Sequence, residues 1–298
     1  MRRPAGLPIR VLLVLLLASG LAAQQDSSFF FVQLSDPQFG FQAGDKSFEQ
    51  ESVTFEFVIA SLNRLRPAFV VAAGDLVNKP GDPAQTAEYL RIAAKLDRSI
   101  PLYNVAGNHD VGNEPTPATL AAYRQKFGRD YYSFRHGSLA AIVMNSSLIM
   151  APGKASSEAA DQLAWLKEEL GKARAGGARH VVVFQHYPWF LEKPDEPDQY
   201  FNVPLERRGP YLALLKAAGV SHVFAGHVHR NSQGRDGALE MVTSGPVGRP
   251  LGNDPSGIRV VIVRPEGLEH RYYGLGSIPN QIRLQPVPQG RATAPRSR

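Results

Sequence analysis

The sequence predicts an α/β fold carrying a second sheet, and three observations lead there. Short apolar runs rich in Val, Phe and Ile, at residues 29–36, 68–75, 102–110, 140–146, 181–186 and 223–229, each end in a polar cluster, as buried strands do. Between them, residues 48–66, 83–98, 118–127, 158–174 and 205–218 carry helical spacing, and such alternation builds a sheet flanked by helices. In the last third, residues 239–245, 258–264 and 268–275 read as strands joined by Gly and Pro turns without helices between them. That change implies a second, largely antiparallel sheet.

The helix over 158–174 shows how these assignments are made. Leu163, Leu166 and Leu170 fall on one face, Lys167, Glu168 and Glu169 fall elsewhere, and Gly176-Gly177 stops it. This is a core-packing pattern. A chain of 298 residues with 43% hydrophobic composition can bury a substantial core. No internal repeat and no Gly/Ser linker divides residues 24–285, so they read as one domain.

The two ends read differently. Arg2, Arg3 and Arg10 precede an apolar run over 11–18 and the small residues Gly20, Ala22 and Ala23, the pattern of a cleaved export signal over 1–23. The run is well short of the roughly 20 residues that span a bilayer. A secreted or periplasmic protein with no stable membrane anchor is expected, and no Cys follows the run to take a lipid. From Pro286 the chain is almost wholly Pro, Gln, Gly, Arg, Ala, Ser and Thr, too polar to offset the entropy of ordering, so 286–298 is expected to be a disordered tail.

The absence of cysteine excludes disulfides, thiolate chemistry and Cys metal ligands. The formal charge of +6 comes from the ends: six arginines lie there without any acid, and the body carries 27 basic and 27 acidic residues. A neutral body argues against a nucleic-acid partner, whose phosphates call for a basic surface.

The polar clusters at the strand ends hold the chemistry. In α/β folds ligands bind at the carboxyl ends of strands. There stand Asp36 and Gln38, Asp75 and Asn78, Asn108-His109-Asp110, His186, and His227 with His229. Asp, Asn and His are hard to borderline ligands that suit Mn²⁺, Fe or Zn²⁺. Each element alone is weak, since a Gly-Asp pair is common and a lone buried His is more often a core residue. Together, Asp-x-Gln, Gly-Asp-x-x-Asn, Gly-Asn-His-Asp, an isolated His and Gly-His-x-His leave few rival explanations. His136, His180, His222 and His270 lie outside this set and are assigned to packing.

With these motifs the chain resembles the calcineurin-like metallophosphoesterases, from about Phe29 to Leu275. Within them it is most similar to the subfamily of calcineurin-like phosphoesterase domain-containing serine/threonine phosphatases. The closer likeness rests on Ser-Asp-Pro-Gln-Phe-Gly at 35–40, Ala-Gly-Asn-His-Asp-Val-Gly-Asn at 106–113 and Phe-Gln-His-Tyr-Pro at 184–188. Gly-His-Val-His-Arg-Asn at 226–231, Asp-Pro-Ser-Gly-Ile-Arg at 254–259 and His-Arg-Tyr-Tyr at 270–273 complete it.

The resemblance implies a β-sandwich of two mixed sheets flanked by helices, in α-β-β-α layers. It implies two divalent or transition metal ions, Mn²⁺ first and Fe or Zn²⁺ as alternatives. Asp36, Gln38, Asp75 and His229 would hold the first ion, and Asp75, Asn108, His186 and His227 the second, with Asp75 bridging. Such a pair binds phosphate oxygens and presents a bridging water as hydroxide, with His109 as the general acid for the leaving alkoxide. Asn108 and Arg230 would contact the substrate. Two departures stand out. Gln38 replaces the usual His, which should weaken the first site, and Asn78 stands where protein phosphatases often have an Asp orienting the catalytic His.

The expected function is hydrolysis of phosphate monoesters, with phosphoserine and phosphothreonine as the implied substrate class. A phosphodiesterase or broad nucleotide or lipid-headgroup phosphatase is the alternative within the enzymes. A non-catalytic metal-binding module is the alternative outside them. Turnover of monoester against diester substrates separates the first two, and chelator-sensitive activity excludes the third. Selectivity is expected from the loops 112–117, 188–202 and 245–253. The acidic, Pro-rich stretch 193–199 reads either as a mobile rim or as a plain surface loop. Arg230 and Arg249 read either as anion contacts or as solvated charges.

Overall fold

In the computed structural model, residues 27–285 are described. The expected export signal (1–23) and disordered tail (286–298) lie outside the described residues. Strand β1 (Phe29–Leu34), β2 (Val70–Ala72) and β3 (Leu102–Asn104) are parallel neighbours, with α1 (Glu49–Leu65) and α2 (Pro83–Ala93) as crossovers. A short α3 (Asn108–Val111) and α4 (Pro117–Phe127) lead to β4 (Tyr132–His136) and β5 (Leu139–Val143). Then come α5 (Ser147–Met150), α6 (Ser156–Ala175), β6 (His180–Phe184), α7 (Leu205–Ala217) and β7 (Val220–Ala225). The chain closes with β8 (Ser232–Asp236), β9 (Leu239–Thr243), β10 (Gly257–Arg264) and β11 (Gly267–Gly274).

Two mixed sheets result, ordered β11-β10-β1-β2-β3 and β4-β5-β6-β7-β9-β8. The late strands do not form the separate antiparallel sheet expected for them. β9 runs parallel to β7 in the second sheet, while β10 pairs antiparallel with β1 and β11 extends the first sheet. The sequence pattern marked these segments as strands but carried nothing about partners, because a buried strand on either sheet reads the same. Two strands also went unrecognised. In β4 and β8 most residues are partly or fully exposed, so neither shows an apolar run.

Side-chain alternation along the central strands builds three cores. From β1, Phe30, Val32 and Leu34 face α1 and α2, while Phe31 joins Phe69, Val71, Phe184, Phe224, Val242 and Val261 between the sheets. From β6, Val181 and Val183 face α6 and α7, and Val182 and Phe184 face inward. The layers are therefore α-β-β-α. Phe31 lies at the centre, stacked on Phe69 at 4.8 Å and edge-on to Phe184 and Phe224 at 5.6 and 5.7 Å. Just above it, buried Gln33 donates to Ala225 O (2.9 Å) and accepts from Ser244 Oγ (2.7 Å), tying the sheets beneath their carboxyl edge.

Helix ends follow local chemistry. Asp82 caps α2 through Ala84 N and Gln85 N, with Pro83 in the first turn. This helix stops at Ala93, short of the expected Arg98, because the chain turns into a loop held by Asn63 Oδ1 on Asp97 N and by Asp97 on Ser99 N.

Candidate active site

Every loop that leaves the carboxyl edge of β1, β2, β3, β6 and β7 carries a candidate site residue, and these loops meet. Asp36 N donates to Gly74 O (3.2 Å), Gln38 N to Asp75 O (2.9 Å), Gly226 N to His186 O (3.1 Å) and Gly248 N to Asp36 O (3.0 Å). The approach is close enough to require glycine. A Cβ on Gly107 would lie 2.2 Å from Asp75 Oδ1, and one on Gly74 would lie 2.5 Å from His186 Nδ1.

The backbone is strained where the side chains converge. Among the described residues seven non-glycines have positive φ, and five are Asp36 (47°), Gln38 (40°), Asp75 (50°), His227 (74°) and His229 (53°). Such conformations cost free energy and persist where the surroundings impose them. Of the other two, Arg66 caps α1 in the left-handed conformation and Asp45 lies in the turn after Gln38.

At the centre, lone pairs face lone pairs. His186 Nδ1–H donates to Ala73 O (2.8 Å), which turns Nε2 toward Asp75 Oδ2 (3.2 Å), Asn108 Oδ1 (3.1 Å) and His227 Nδ1 (3.2 Å). Asn108 presents its oxygen because its Nδ2 donates to Asn113 Oδ1 (2.9 Å). A proton could join two of these four atoms, whereas a cation satisfies all of them. On the other side, His229 Nδ1–H donates to Arg249 O (2.5 Å), so its Nε2 faces Asp36 Oδ1 at 3.5 Å. Asp75, His186 and His227 form one group able to hold an ion, and Asp36, Asp75 and His229 another. Asp75 is common to both.

Electrostatics point the same way. Burial pushes the Asp36 carboxyl above the ordinary carboxylate range. Burial also pushes on Asp75, but His186 and the other imidazoles outweigh it and hold Asp75 below that range. Burial pulls His186 down, yet Asp75 and Asp36 raise it to about 9. His227 is pushed down to about 3, by burial and then by His186. The centre draws in positive charge.

His109 stands apart from both groups. Its backbone N–H donates to Asp75 Oδ1 (2.9 Å) and its Nδ1–H to Asn78 O (2.6 Å), leaving Nε2 free on a partly exposed ring. The oriented contact with Asn78 is thus through the backbone. The Asn78 side chain instead accepts from Gln38 Nε2 (3.1 Å) and donates to Asp45 Oδ1 (2.8 Å). Gln38 Oε1 is buried without a hydrogen-bond partner, the state of a donor atom aimed at a cation.

Arg230, expected at the substrate, is exposed and lies over the Phe201 ring at 5.6 Å; Arg249 lies over Phe41 at 5.6 Å. Tyr200, also exposed, faces His227 with ring centroids 5.4 Å apart. The loop that carries Tyr200 and Phe201 is tied down by hydrogen bonds. Buried Arg208 donates to the carbonyls of Val203, Pro194 and Glu196, and the Glu196 carboxylate accepts from Leu191 N, Glu192 N and Asn202 Nδ2.

Several supporting residues escaped sequence reasoning. Ser35 Oγ donates to Asp36, and Ser146 Oγ accepts from His186 N (3.1 Å) and Tyr187 N (2.8 Å). Asp110 accepts from Leu76 N, Val77 N and Gly107 N, clamping two ligand loops together. Asp110 and Asn113 lay inside the recognised motifs, while Ser146 carried no signal of its own.

A second group, His222, Glu240 and His270, also has metal-like spacing. Here the protein's own donors fill the site. Arg259 Nη1 donates to His270 Nδ1 (2.9 Å), His270 Nε2–H to Glu240 Oε1 (2.9 Å), and Gln233 and Arg235 also donate to Glu240. It ties the sheets, and donors from the protein occupy Glu240 and His270.

A buried, acceptor-rich centre on the carboxyl edge of an α-β-β-α sandwich is a site suited to metal ions. The family model for calcineurin-like phosphoesterases matches residues 31–231, and the chain belongs to that family. It is 40% identical over 266 residues to the human serine/threonine-protein phosphatase CPPED1, covering 84% of this chain and 85% of that protein. Among solved structures, purple acid phosphatase PPD1 from yellow lupin aligns with a TM-score of 0.64 at 15% identity, over 85% of this chain and 52% of that one. A dimetal phosphatase from Danio rerio aligns with a TM-score of 0.55 at 17% identity, over 83% of this chain and 99% of that one. These two likenesses are of fold. The family and the human relative make the chain a phosphoric ester hydrolase that works with divalent metal.

Proposed function

We propose that the chain hydrolyses phosphate monoesters at a dinuclear centre, with Mn²⁺ as the favoured ion and phosphoserine or phosphothreonine as the substrate class. The observation that carries this is the convergence of Asp75 Oδ2, Asn108 Oδ1, His186 Nε2 and His227 Nδ1 within 3.1 to 3.2 Å contacts. Asp36, Gln38, Asp75 and His229 would hold the first ion, and Asp75, Asn108, His186 and His227 the second. When bound, the ions supply Lewis acidity to phosphate oxygens and a lowered pKa to water.

The protein's own groups do the rest. His109 holds its Nδ1–H on Asn78 O, which sets the ring so that Nε2 delivers a proton to the departing oxygen. Asn108, oriented by Asn113, and Arg230, seated on Phe201, contact the phosphate. The class of substrate follows the human relative, whose name is that of a serine/threonine-protein phosphatase. The experiment is turnover of phosphomonoester and phosphodiester substrates by Mn²⁺-loaded protein, with and without chelator. Chelator-sensitive monoester turnover supports the reading, and faster diester turnover overturns it. Arg230→Ala should raise KM by roughly 10-fold, the weight of one charge-assisted hydrogen bond, with metal content unchanged. For cellular location, the reading is export with cleavage near Gln24, tested by mass spectrometry of the natively produced protein.

A further inference from the structure

We infer that Asp45 sets the direction of the Gln38 amide, through Asn78, and so makes Gln38 an oxygen ligand of the first metal. The inference rests on the dinuclear reading above. A glutamine amide has two faces of opposite character, an acceptor oxygen and a donor nitrogen, and only the oxygen can ligate a cation. Something must choose between them.

The structure fixes the choice from an anion. Asp45 is a carboxylate, and a carboxylate only accepts hydrogen bonds. Its Oδ1 takes Asn78 Nδ2 at 2.8 Å, so the Asn78 oxygen points away from it, toward Gln38. That oxygen accepts Gln38 Nε2 at 3.1 Å, so the Gln38 oxygen points away in turn. It ends buried and without a partner, in a residue whose own N–H is bonded to Asp75 O. Each amide is thereby turned by the one before it.

A separate contact confirms the polarity at its origin. Asp45 Oδ1 also accepts Gln85 Nε2 at 2.7 Å, and Gln85 Oε1 accepts the backbone N–H groups of Asn78 (3.0 Å) and Lys79 (2.9 Å). Backbone N–H groups cannot be reversed, so the Gln85 amide has one orientation, and its nitrogen faces Asp45. The conformation of Asp45 adds to this. With five positive φ values at site residues and Arg66 at a helix end, Asp45 (64°) is the remaining strained non-glycine among the described residues. Strain of this kind gathers where geometry serves a site. Asn78 consequently has a role distinct from holding a catalytic histidine by its side chain. It passes orientation to a ligand.

The test measures metal binding instead of turnover. Mn²⁺ affinity and stoichiometry are determined by calorimetry and by electron paramagnetic resonance, which separates spin-coupled Mn²⁺ pairs from isolated ions. Asp45→Ala should weaken the first Mn²⁺ by roughly 10- to 100-fold, the range for groups that orient ligands, and convert the paired signal to that of isolated ions. Asp45→Asn keeps an acceptor oxygen and should recover part of the loss. Gln38→Ala combined with Asp45→Ala should bind no worse than Gln38→Ala alone, because Asp45 acts through Gln38. Losses that add in the double variant, or unchanged Mn²⁺ binding in Asp45→Ala, overturn the inference. Wild-type protein that binds no Mn²⁺ pair overturns the dinuclear reading itself, and the two failures are distinguishable.

Discussion

His109 donates its backbone N–H to Asp75 at 2.9 Å, so the proposed proton donor and the proposed bridging ligand are neighbours whose substitutions should behave differently. Asp75→Asn removes a charge shared by both ligand groups, and metal and activity should fall together, as read by metal content and turnover of the same sample. His109→Ala keeps the N–H that anchors Asp75, so metal content should stay. Its rate on a substrate with a poor leaving group should drop on the order of 10²- to 10⁴-fold, the usual weight of general acid catalysis. With p-nitrophenyl phosphate, whose leaving group needs little protonation, the drop should shrink. Loss of metal from His109→Ala would count against its role as a donor. At this scale most of the site was legible in the sequence, because Asp, Asn and His at strand ends are visible as letters. Asp45 and Ser146 were not, because their contribution is a hydrogen bond that exists only once distant loops meet.

Two features hold the surroundings of the site in place. Phe31 fills the space between the sheets directly below the ligand loops, fully buried against Phe69, Phe184 and Phe224. Phe31→Ala should cost about 3–5 kcal/mol, the range for deleting a buried aromatic, measured by urea unfolding. The loop between β6 and α7 is the second case. Arg208 is buried, with its guanidinium pulled below its ordinary pKa by burial, and three carbonyls of that loop converge on it. Arg208→Met keeps bulk but leaves those carbonyls without a donor. The loop should then become a site of limited proteolysis, and KM should rise as Tyr200 and Phe201 lose their positions. Resistance to protease equal to wild type would show that the loop is held by other contacts. The composition of 193–199 reads as a mobile rim or a surface loop, and only the fold shows what holds it: its anchor, Arg208, sits on a helix that reads as plain amphipathic sequence.

Across the whole molecule, the two sheets are joined by the apolar layer around Phe31 and by polar groups at distinct places. Along β8, β9, β10 and β11, Arg235, Glu240, Arg259 and His270 bring their own donors and acceptors and balance one another. At the carboxyl edge the balance is incomplete, because Asp36, Asp75 and Asn108 follow strands of the first sheet while His186, His227 and His229 follow strands of the second. Cations held there would join the two sheets, so metal should contribute to stability as well as to chemistry. A ligand present at a thousand times its Kd stabilises the native state by about 4 kcal/mol. For a domain of this size that corresponds to a rise in Tm on the order of 10 °C. Adding Mn²⁺ to chelator-treated protein should raise Tm by that order and slow amide exchange in the loops after β1, β2, β6 and β7. Exchange around Glu240 and Arg259 should change little. A Tm indifferent to both chelator and Mn²⁺ would show that the carboxyl edge is held by protein contacts alone, as the Glu240 cluster is.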